Sequence, residues 1–436
     1  MFRLRLIVAI GLALWAVPAR AQTDSWNPYS TTVYREGPGF RLGGAPLVFH
    51  PGIAAEVGYD SNVFYEPDTL PIRGAPILRV RAHLDFGTLP PQRLELGESS
   101  TADQKIDFRF STQVEYREYL SSDQAVQDQR SVNLYAGADL GILPKGPFTL
   151  RLFDTFVRTV DPRNQEGPQN FTRDYNRGGF LATLRPGTGR LELGLGDSVD
   201  FNLWESKDVR FGNTVGDEAT AFARFRFLQQ TVGSLTVRAG YRTYTRQPQL
   251  ESAPIRAMVG VSSLITTWFG AAASIGYGNS LALAKGGVSF SSVIANAEAR
   301  FFLPRGARLT LGYDRDFFDS LFANFYVDDR IFVSFDHPVV YRLTAHLDGG
   351  VRFRHYEGLV DPTTVQYASY SSPDRNDIVY DLHAELNVRA TNWLSCGVSY
   401  NLVADRTDFE FIRASGERVR VDYIKHSVFA RVDVAY

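Results

Sequence analysis

The sequence has little of what stabilises small secreted proteins or identifies nucleic-acid-binding proteins. It contains a single cysteine, Cys396, which excludes an internal disulfide framework. Its net charge is only -2, so it lacks the basic excess of a nucleic-acid-binding protein. Beyond the first residues, no apolar run is close in length to the roughly 20 residues that a transmembrane helix requires.

The amino-terminal stretch is the one place with an extended apolar run. Arg3 and Arg5 precede the apolar segment 6–17, and Ala19-Arg20-Ala21 supplies small residues at the cleavage positions. This pattern is typical of a secretory signal peptide. We expect residues 1–21 to be removed after export.

What the sequence does contain is strict alternation of apolar and polar residues, which begins near Ile53. The clearest example is the segment 105–120. Its apolar positions include Ile106, Phe108, Phe110, Val114 and Tyr116, and its polar positions include Lys105, Asp107, Arg109, Gln113 and Glu115. The segments 78–86 and 378–390 show the same alternation. It predicts β-strands with one apolar and one polar face.

The predicted strands are long and their connections alternate in length. They run for roughly 9 to 15 residues, whereas strands in soluble proteins average about 5 to 6, and the greater length suits strands that cross a membrane at a tilt. Tight turns are predicted at 144–147, 186–189, 230–234, 266–268, 304–306, 336–338 and 391–393. Longer links are predicted at 121–130, 161–174, 205–216, 318–325, 357–376 and 405–417.

These features predict an all-β fold, a closed antiparallel transmembrane β-barrel of about 18 strands over residues 52–436, in the bacterial outer membrane. Residues 22–51 form a polar periplasmic lead-in that crosses the lumen or hangs free. The link 88–104 is long although it should lie on the periplasmic side. This link is interpreted as a tolerated loop insertion, as the result of a miscounted strand, or as a contact for a periplasmic partner.

Closure of the sheet explains the alternation, because an unpaired backbone amide is costly in the hydrocarbon layer. Outward residues then contact lipid and inward residues are free to be charged. Asp154 and Asp197 fit poorly on the outward face, and we expect a β-bulge at each to turn it inward. The last strand alternates up to Tyr436 and resembles the terminal signal by which the barrel-assembly machinery recognises its clients.

The inward face carries many arginines with acids beside them. One interpretation is a polar wall bridged internally from strand to strand. The other is a selectivity lining that attracts carboxylates or phosphates. The candidate pore-lining residues are Arg81, Arg109, Arg238, Arg242, Arg246, Arg342, Arg352, Arg354, Asp381 and Glu385. Of these, Arg238, Arg242 and Arg246 lie at even spacing on one predicted strand, and no acid lies between them on that face. They are the best candidates for an anion-attracting constriction.

Nothing in the sequence favours an enzyme or a metal site. His346 and His383 are both predicted to face the lumen, but no histidine spacing suits a metal cage. The sequence has no nucleophile elbow, phosphate-binding glycine loop or His-Glu-x-x-His run. We therefore expect no catalytic residues and no cofactor, and Cys396 is interpreted as a small apolar residue on the lipid face.

The segment from Gly58 to Phe64 (Gly-Tyr-Asp-Ser-Asn-Val-Phe) resembles a motif in the first strand of the putative β-barrel porin 2 family. Members of that group are similar to barrels of exopolysaccharide-secretion systems, and the alginate exporter is likewise an eighteen-stranded barrel with an arginine-lined pore. The resemblance implies a barrel without identifying a substrate.

A barrel of about 18 strands encloses an aqueous channel unless loops fill it. We therefore expect a passive outer-membrane pore, with a secreted exopolysaccharide as the favoured cargo and a periplasmic polysaccharide-export protein as partner. The alternatives are a general diffusion porin for small solutes and a plugged barrel that displays the link 357–376 as an adhesive or structural surface.

Overall fold

The computed structural model describes residues 39–41, 47–88, 105–162, 171–187, 189–340, 342–365 and 367–436. The predicted signal peptide and most of the predicted lead-in and of the link 88–104 lie outside the described residues, and they stay predictions. Among the described residues there is no helix that is both long enough and apolar enough to cross a membrane.

The described residues form eighteen long strands. They are β1 (Leu47–Asp60), β2 (Ala75–Thr88), β3 (Ile106–Tyr119), β4 (Ser131–Ile142), β5 (Phe148–Thr159), β6 (Arg173–Leu184), β7 (Leu191–Trp204), β8 (Thr214–Leu228), β9 (Thr231–Tyr244), β10 (Ile255–Leu264), β11 (Phe269–Asn279), β12 (Ser291–Phe302), β13 (Arg308–Phe318), β14 (Ala323–Val340), β15 (Leu343–Leu359), β16 (Arg375–Arg389), β17 (Leu394–Arg406) and β18 (Tyr423–Ala435).

Each strand pairs antiparallel with the next along the chain, and β1 pairs antiparallel with β18, from Gly52 opposite Ala435 to Asp60 opposite Ser427. The sheet is therefore a closed barrel, and the predicted fold class and strand number are confirmed. The remaining elements are short. They are a helix, α1 (Gln124–Gln127), four 3-10 turns (Lys207–Gly212, Pro248–Leu250, Pro304–Gly306 and Pro362–Val365), and the strands Phe40–Arg41, Ser369–Tyr370, Glu410–Ile412 and Arg418–Arg420.

The first strand begins at Leu47, within the segment that the sequence analysis assigned to the lead-in. This part of the strand contains Pro51, which has no amide hydrogen to donate to a ladder. Pairing with β18 starts only at Gly52, and the Pro51 carbonyl accepts from the Tyr436 amide just beyond that pairing. Pro51 pairs with Leu84 of β2 but lies just before the ladder with β18, so it occupies an edge position that tolerates proline.

The two faces of the wall differ as the alternation predicted. In β3 the outward Val114 and Tyr116 are about two-fifths exposed, whereas the inward Glu115 between them is 1% exposed. Large apolar side chains are exposed on the outward face of most strands, and aromatic rings lie near both ends of the wall, for example Tyr241 at one end and Trp268 at the other. A closed barrel with a largely apolar exterior is suited only to lipid. The chain is an outer-membrane β-barrel.

The links alternate in length around the barrel. One end has short turns, which we assign to the periplasmic side: 143–147, 185–190, 229–230, 265–268, 303–307, 341–342 and 390–393. The other, extracellular end has the links 61–74, 120–130, 160–172, 205–213, 245–254, 280–290, 319–322, 360–374 and 407–422. The extracellular link 319–322 is shorter than predicted.

Two predicted turns were misplaced. The segment 336–338 lies inside β14, and the chain reverses at 341–342 instead. Pro338 is accommodated because the pairing of β14 with β15 shifts register between Pro338 and Val340. The predicted turn 230–234 is confined to 229–230, since β9 already begins at Thr231.

The bulges expected at Asp154 and Asp197 do not occur. The pairing of β5 and of β7 with their neighbours runs through both positions without a register shift. Both carboxylates therefore point outward, on the same face as the exposed Leu152 and Leu195.

Candidate functional site

The inner wall over β1, β2 and β3 carries a buried ion-pair network. Arg79 lies 2.5 Å and Arg81 2.9 Å from Glu56, because the register places Glu56 opposite Arg79. Arg81 also donates to Glu115 at 2.5 Å, and Glu115 accepts from Arg117 at 2.5 Å. Every member of the network is less than a tenth exposed, so the network is a fixed part of the wall.

The network extends into the first turn of an extracellular link. Arg117 donates to both carboxylate oxygens of Asp161, at 3.0 and 3.1 Å. Burial raises the pKa of the Asp161 carboxyl, but the charge and hydrogen bonds of Arg117 outweigh it, so the pKa is lowered overall. The carboxylate thus ties the link 160–172 to the barrel wall.

A second network lies on the inner faces of β14, β15 and β16. Arg352 contacts Asp381 at 2.8 Å, and Arg330 reaches the same carboxylate at 3.4 Å. Arg354 donates to both oxygens of Asp328, at 2.8 and 3.0 Å, and its guanidinium lies 4.0 Å from the centre of the Tyr326 ring. These bidentate and stacked contacts hold the arginines against the wall.

Four of the other candidates lie on the inner faces of their strands, and three of them have a partner of opposite charge. Glu385 accepts from Arg431 at 2.7 Å, and Arg109, which is more exposed, lies 3.3 Å from Asp85. Arg242 contacts Asp200 at 3.0 Å and Asp319 at 3.3 Å. Arg238 faces inward opposite Arg256, and within the described residues it has no ion-pair partner.

Two candidates are not on the wall. Arg246 follows the end of β9 and is exposed in the extracellular link 245–254. Arg342 is exposed in the turn between β14 and β15 and donates to the Ala390 carbonyl at 2.7 Å. The even spacing of Arg238, Arg242 and Arg246 therefore does not form one row, because the strand ends before the third residue.

The arrangement of charges supports an internally bridged wall. Acids neutralise most of the inward arginines of the described strands at hydrogen-bonding distance, so the wall has both signs of charge interspersed. That the candidate residues line a conducting path and select anions stays a prediction.

The inward histidines are also engaged by their neighbours. His346 Nδ1 lies 2.7 Å from Asp336, and the rings of His346 and His383 have centroids 5.8 Å apart. His383 Nδ1 lies 2.6 Å from the Asn401 side-chain oxygen. In the part of the chain that the structure describes, no group of three or more histidine, cysteine or acidic side chains is arranged to hold a metal ion.

The extracellular mouth carries an apolar cluster that the sequence analysis missed, which we term the loop cap. Its buried members are Trp204, Val209, Tyr244, Leu250, Leu321, Val360, Val365, Phe409 and Phe411, and partly buried neighbours include Phe171, Phe211, Phe322 and Tyr367. They come from the ends of the wall and from six extracellular links.

Contacts within the loop cap run from one side of the barrel to the other. The Tyr244 hydroxyl, at the end of β9, donates to the Ser320 carbonyl at 3.1 Å. In the same link, the Phe322 ring lies 5.5 Å from that of Phe411, which stacks on Tyr367 at 4.4 Å. Trp204 ends β7 and Phe411 follows β17, and these strands are eight positions apart by the shorter way around a ring of eighteen, so they lie nearly opposite each other. The loop cap therefore extends across the mouth.

The motif Gly58 to Phe64 joins the first and last strands. The Asn62 side chain donates to the carbonyls of Glu66 at 2.8 Å and Ile424 at 3.1 Å, and it accepts from the Glu66 amide at 2.8 Å. Asp60 accepts from the Asn62 amide at 3.1 Å and contacts Lys425 at 2.8 Å. Within this structure the motif is a hydrogen-bonded turn at the seam between β1 and β18.

No protein-family model matches the chain, and no curated protein matches it. Among solved structures, it is similar to OccAB4 of Acinetobacter baumannii, at 11% identity and a TM-score of 0.47, over 89% of this chain and 98% of that one. It is also similar to the outer membrane protein opdK from Pseudomonas aeruginosa, at 11% identity and a TM-score of 0.47, over 89% and 99%.

OccK2 (OpdF) of Pseudomonas aeruginosa is similar at 12% identity and a TM-score of 0.46, over 89% of this chain and 98% of that one. At such identities and TM-scores the likeness supports no conclusion about substrate or activity. The resemblance of Gly58 to Phe64 to the putative β-barrel porin 2 family gains no support from the family models.

Proposed function

We propose that this protein is a passive outer-membrane pore for small hydrophilic solutes. The observation that carries the proposal is the closed barrel of eighteen strands with a polar, charged inner wall. A barrel of eight strands is filled by its own side chains, whereas one of eighteen strands is in the range of barrels with an aqueous lumen. The inner wall of charged pairs suits water and polar solutes and excludes an apolar cargo.

The balance of charge on the inner wall supports a pore without strong ion selectivity. Fixed charges of one sign would concentrate ions of the opposite sign in the lumen. Here Arg79, Arg81 and Arg117 are matched by Glu56, Glu115 and Asp161. Arg354 is matched by Asp328, and Arg330 and Arg352 share Asp381. Neutral and zwitterionic solutes therefore fit this wall at least as well as anions.

The loop cap favours small solutes over a polymer. An exported polysaccharide occupies the whole pore along its length and needs a continuous wide opening. The loop cap brings links from nearly opposite sides of the barrel into one apolar cluster, which narrows the extracellular mouth. The described residues show no feature that favours exopolysaccharide export or a periplasmic export partner.

Purified protein in planar bilayers and in proteoliposomes tests the proposal. We expect open channels with a linear current–voltage relation and weak ion selectivity, and uptake of neutral sugars that falls steeply as their mass increases. Phe411→Ala, which removes a ring packed between Tyr367 and Phe322, should raise the conductance and the mass limit. The matched control is Phe353→Ala, because Phe353 is an outward ring on β15.

Two results would contradict the proposal. If the folded protein gives no current, with or without the loop-cap substitution, the barrel is not a pore and serves as a structural surface. Passage of long polysaccharide chains with exclusion of small sugars would return the export interpretation to first place.

A further inference from the structure

The extracellular link 319–322, between β13 and β14, is the shortest of the described links at its end of the barrel, yet it is buried. Ser320 and Leu321 are each 1% exposed, and Ala323 just after the link is 0% exposed. Links at the end of a barrel ordinarily lie at the surface. This link must therefore lie among the other links, and we term residues 316–324 the β13–β14 tip.

Asn324 connects the β13–β14 tip to two links that lie before it in the chain. Its side chain donates to the Gln249 carbonyl at 2.8 Å, in the link between β9 and β10. It also accepts from the Val288 amide at 2.9 Å, in the link between β11 and β12. One side chain thus bonds to two different links.

The two apolar residues of the tip contact three further links. The Phe322 carbonyl accepts from the Val360 amide at 2.9 Å, and the Phe322 ring lies 5.5 Å from that of Phe411. These partners follow β15 and β17. A Cβ added at Gly212, which follows β7, would lie 3.1 Å from the Leu321 Cδ2. The tip therefore contacts all five of the other described links between residues 205 and 422.

The register shows how so short a link reaches the centre of the mouth. β13 pairs with β14 up to Phe318 opposite Tyr326, but its pairing with β12 ends at Arg315 opposite Ala295. β12 itself continues to Ser291, paired only with β11. The last three residues of β13 are therefore in a ladder on one side only. This lets the β13–β14 tip lean over the lumen, and it lets the tip move without breaking the ladder with β12.

Side chains replace the ladder at the open edge of β13. The Phe317 amide donates to the Asp316 carboxylate at 2.8 Å, and the Phe317 carbonyl accepts from Arg256 of β10 at 2.6 Å. Arg256 also donates to both oxygens of Asp316, at 3.0 and 3.1 Å, and its guanidinium lies 3.9 Å from the centre of the Phe317 ring. Such contacts hold the tip in place, but they can break one at a time, unlike a ladder.

A second anchor crosses from β9 to the end of the tip. Arg242 donates to Asp319 at 3.3 Å. The Tyr244 hydroxyl donates to the same carboxylate at 3.3 Å and to the Ser320 carbonyl at 3.1 Å. Arg242 also contacts Asp200 of β7 at 3.0 Å. When Asp319 moves away, Arg242 therefore keeps a carboxylate partner, which avoids the large cost of an uncompensated buried charge.

We propose that the β13–β14 tip is a gate over the extracellular mouth, shut in this structure by its contacts with β9 and β10. When Asp319 separates from Arg242 and Tyr244, the tip moves back towards β12 and widens the opening. A single hydrogen bond contributes little net stability, so the loss of one shifts the balance between the shut and open forms measurably. The gate rests on the proposed pore function, because it has meaning only if the lumen conducts.

Single-channel recording of the full-length protein in planar bilayers tests the gate with two matched pairs of variants. Asp319→Asn removes the charge that holds the tip to Arg242, and Asp374→Asn makes the same change at an exposed acid of another extracellular link. Tyr244→Phe removes the hydroxyl that donates to the tip, and Tyr241→Phe makes the same change at an exposed outward ring of the same strand. Heat-modifiable migration on gels shows that each variant is a folded barrel.

We expect the unsubstituted protein to alternate between a low and a high conductance level. Asp319→Asn and Tyr244→Phe should each raise the ratio of time at the high level to time at the low level by about three- to tenfold, and the two controls should leave it unchanged. One conductance level in every variant, or equal ratios for each tip variant and its control, would overturn the gate and leave the pore standing. No current from any variant would overturn the proposed function and the gate with it.

Discussion

Replacement of Glu115 by alanine should destabilise the barrel more than the loss of any single surface ion pair. Glu115 accepts from Arg81 and Arg117 at 2.5 Å and from the Asn133 side chain at 3.0 Å, and its side chain is 1% exposed. Removal of one partner of a buried ion pair leaves an uncompensated charge and costs about 3–5 kcal/mol. Arg81 keeps its contact with Glu56 and Arg117 its contact with Asp161, but three buried arginines would then share two carboxylates. One buried charge is left uncompensated, so we expect a decrease of about 3–5 kcal/mol in the free energy of unfolding.

Glu192 provides the matched control. It also bridges two inward arginines, Arg185 at 3.1 Å and Arg224 at 3.0 Å, but those side chains are 33% and 37% exposed. Water therefore replaces much of the lost interaction, and Glu192→Ala should cost about 1 kcal/mol or less.

Urea unfolding of each variant in lipid vesicles, followed by tryptophan fluorescence, measures the difference. The expected gap corresponds to more than about a tenfold shift in the unfolding equilibrium. Equal losses for the two variants would refute the reasoning, because they would show that lumenal water solvates the Arg81 and Arg117 guanidinium groups as well as it does those near the periplasmic mouth.

Three further predictions concern the links and the lumen. The lowered pKa of Asp161 means that its contact with Arg117 stabilises the fold above the unfolded pKa of about 4 and is lost as pH falls below it; Asp161→Asn should remove this acid dependence from urea unfolding curves. Asn62→Ala should cost about 1–3 kcal/mol in the same assay, since it leaves buried backbone groups at the seam unpaired. Arg238→Ala should shift the reversal potential in a salt gradient towards cations, whereas Arg246→Ala should not; the opposite ranking would contradict the placement of Arg246 outside the lumen.

The alternation of residues was sufficient to predict the barrel and the facing of its side chains. In β3, every second residue from Arg109 to Arg117 points inward as predicted, because a strand permits only two directions. The number of strands was also predictable, since turn-forming residues such as Pro304 to Gly306 separate the apolar segments.

The ion pairs and the loop cap could not be predicted, because they depend on which residues come into contact across strands and links. The pairing of Arg242 with Asp319 joins β9 to a link 77 residues further on, and no local pattern encodes it. The loop cap was missed for the same reason, because its aromatic residues are scattered over short polar links without periodicity. Asp154 and Asp197 were expected to turn inward because lipid disfavours a carboxylate, but the unbroken register fixes the outward direction of both side chains.

The pairing of β1 with β18 has a consequence for how the chain folds. Every other strand pairing in the barrel joins strands adjacent in sequence, so each pair can form as a hairpin at small entropic cost. The seam instead joins Gly52 to Ala435 across almost the whole described chain. We therefore expect the hairpins to form first and the seam to close last, as the slow step. The Asn62 side chain, which donates to the Ile424 carbonyl, then stabilises the closed ring at this seam.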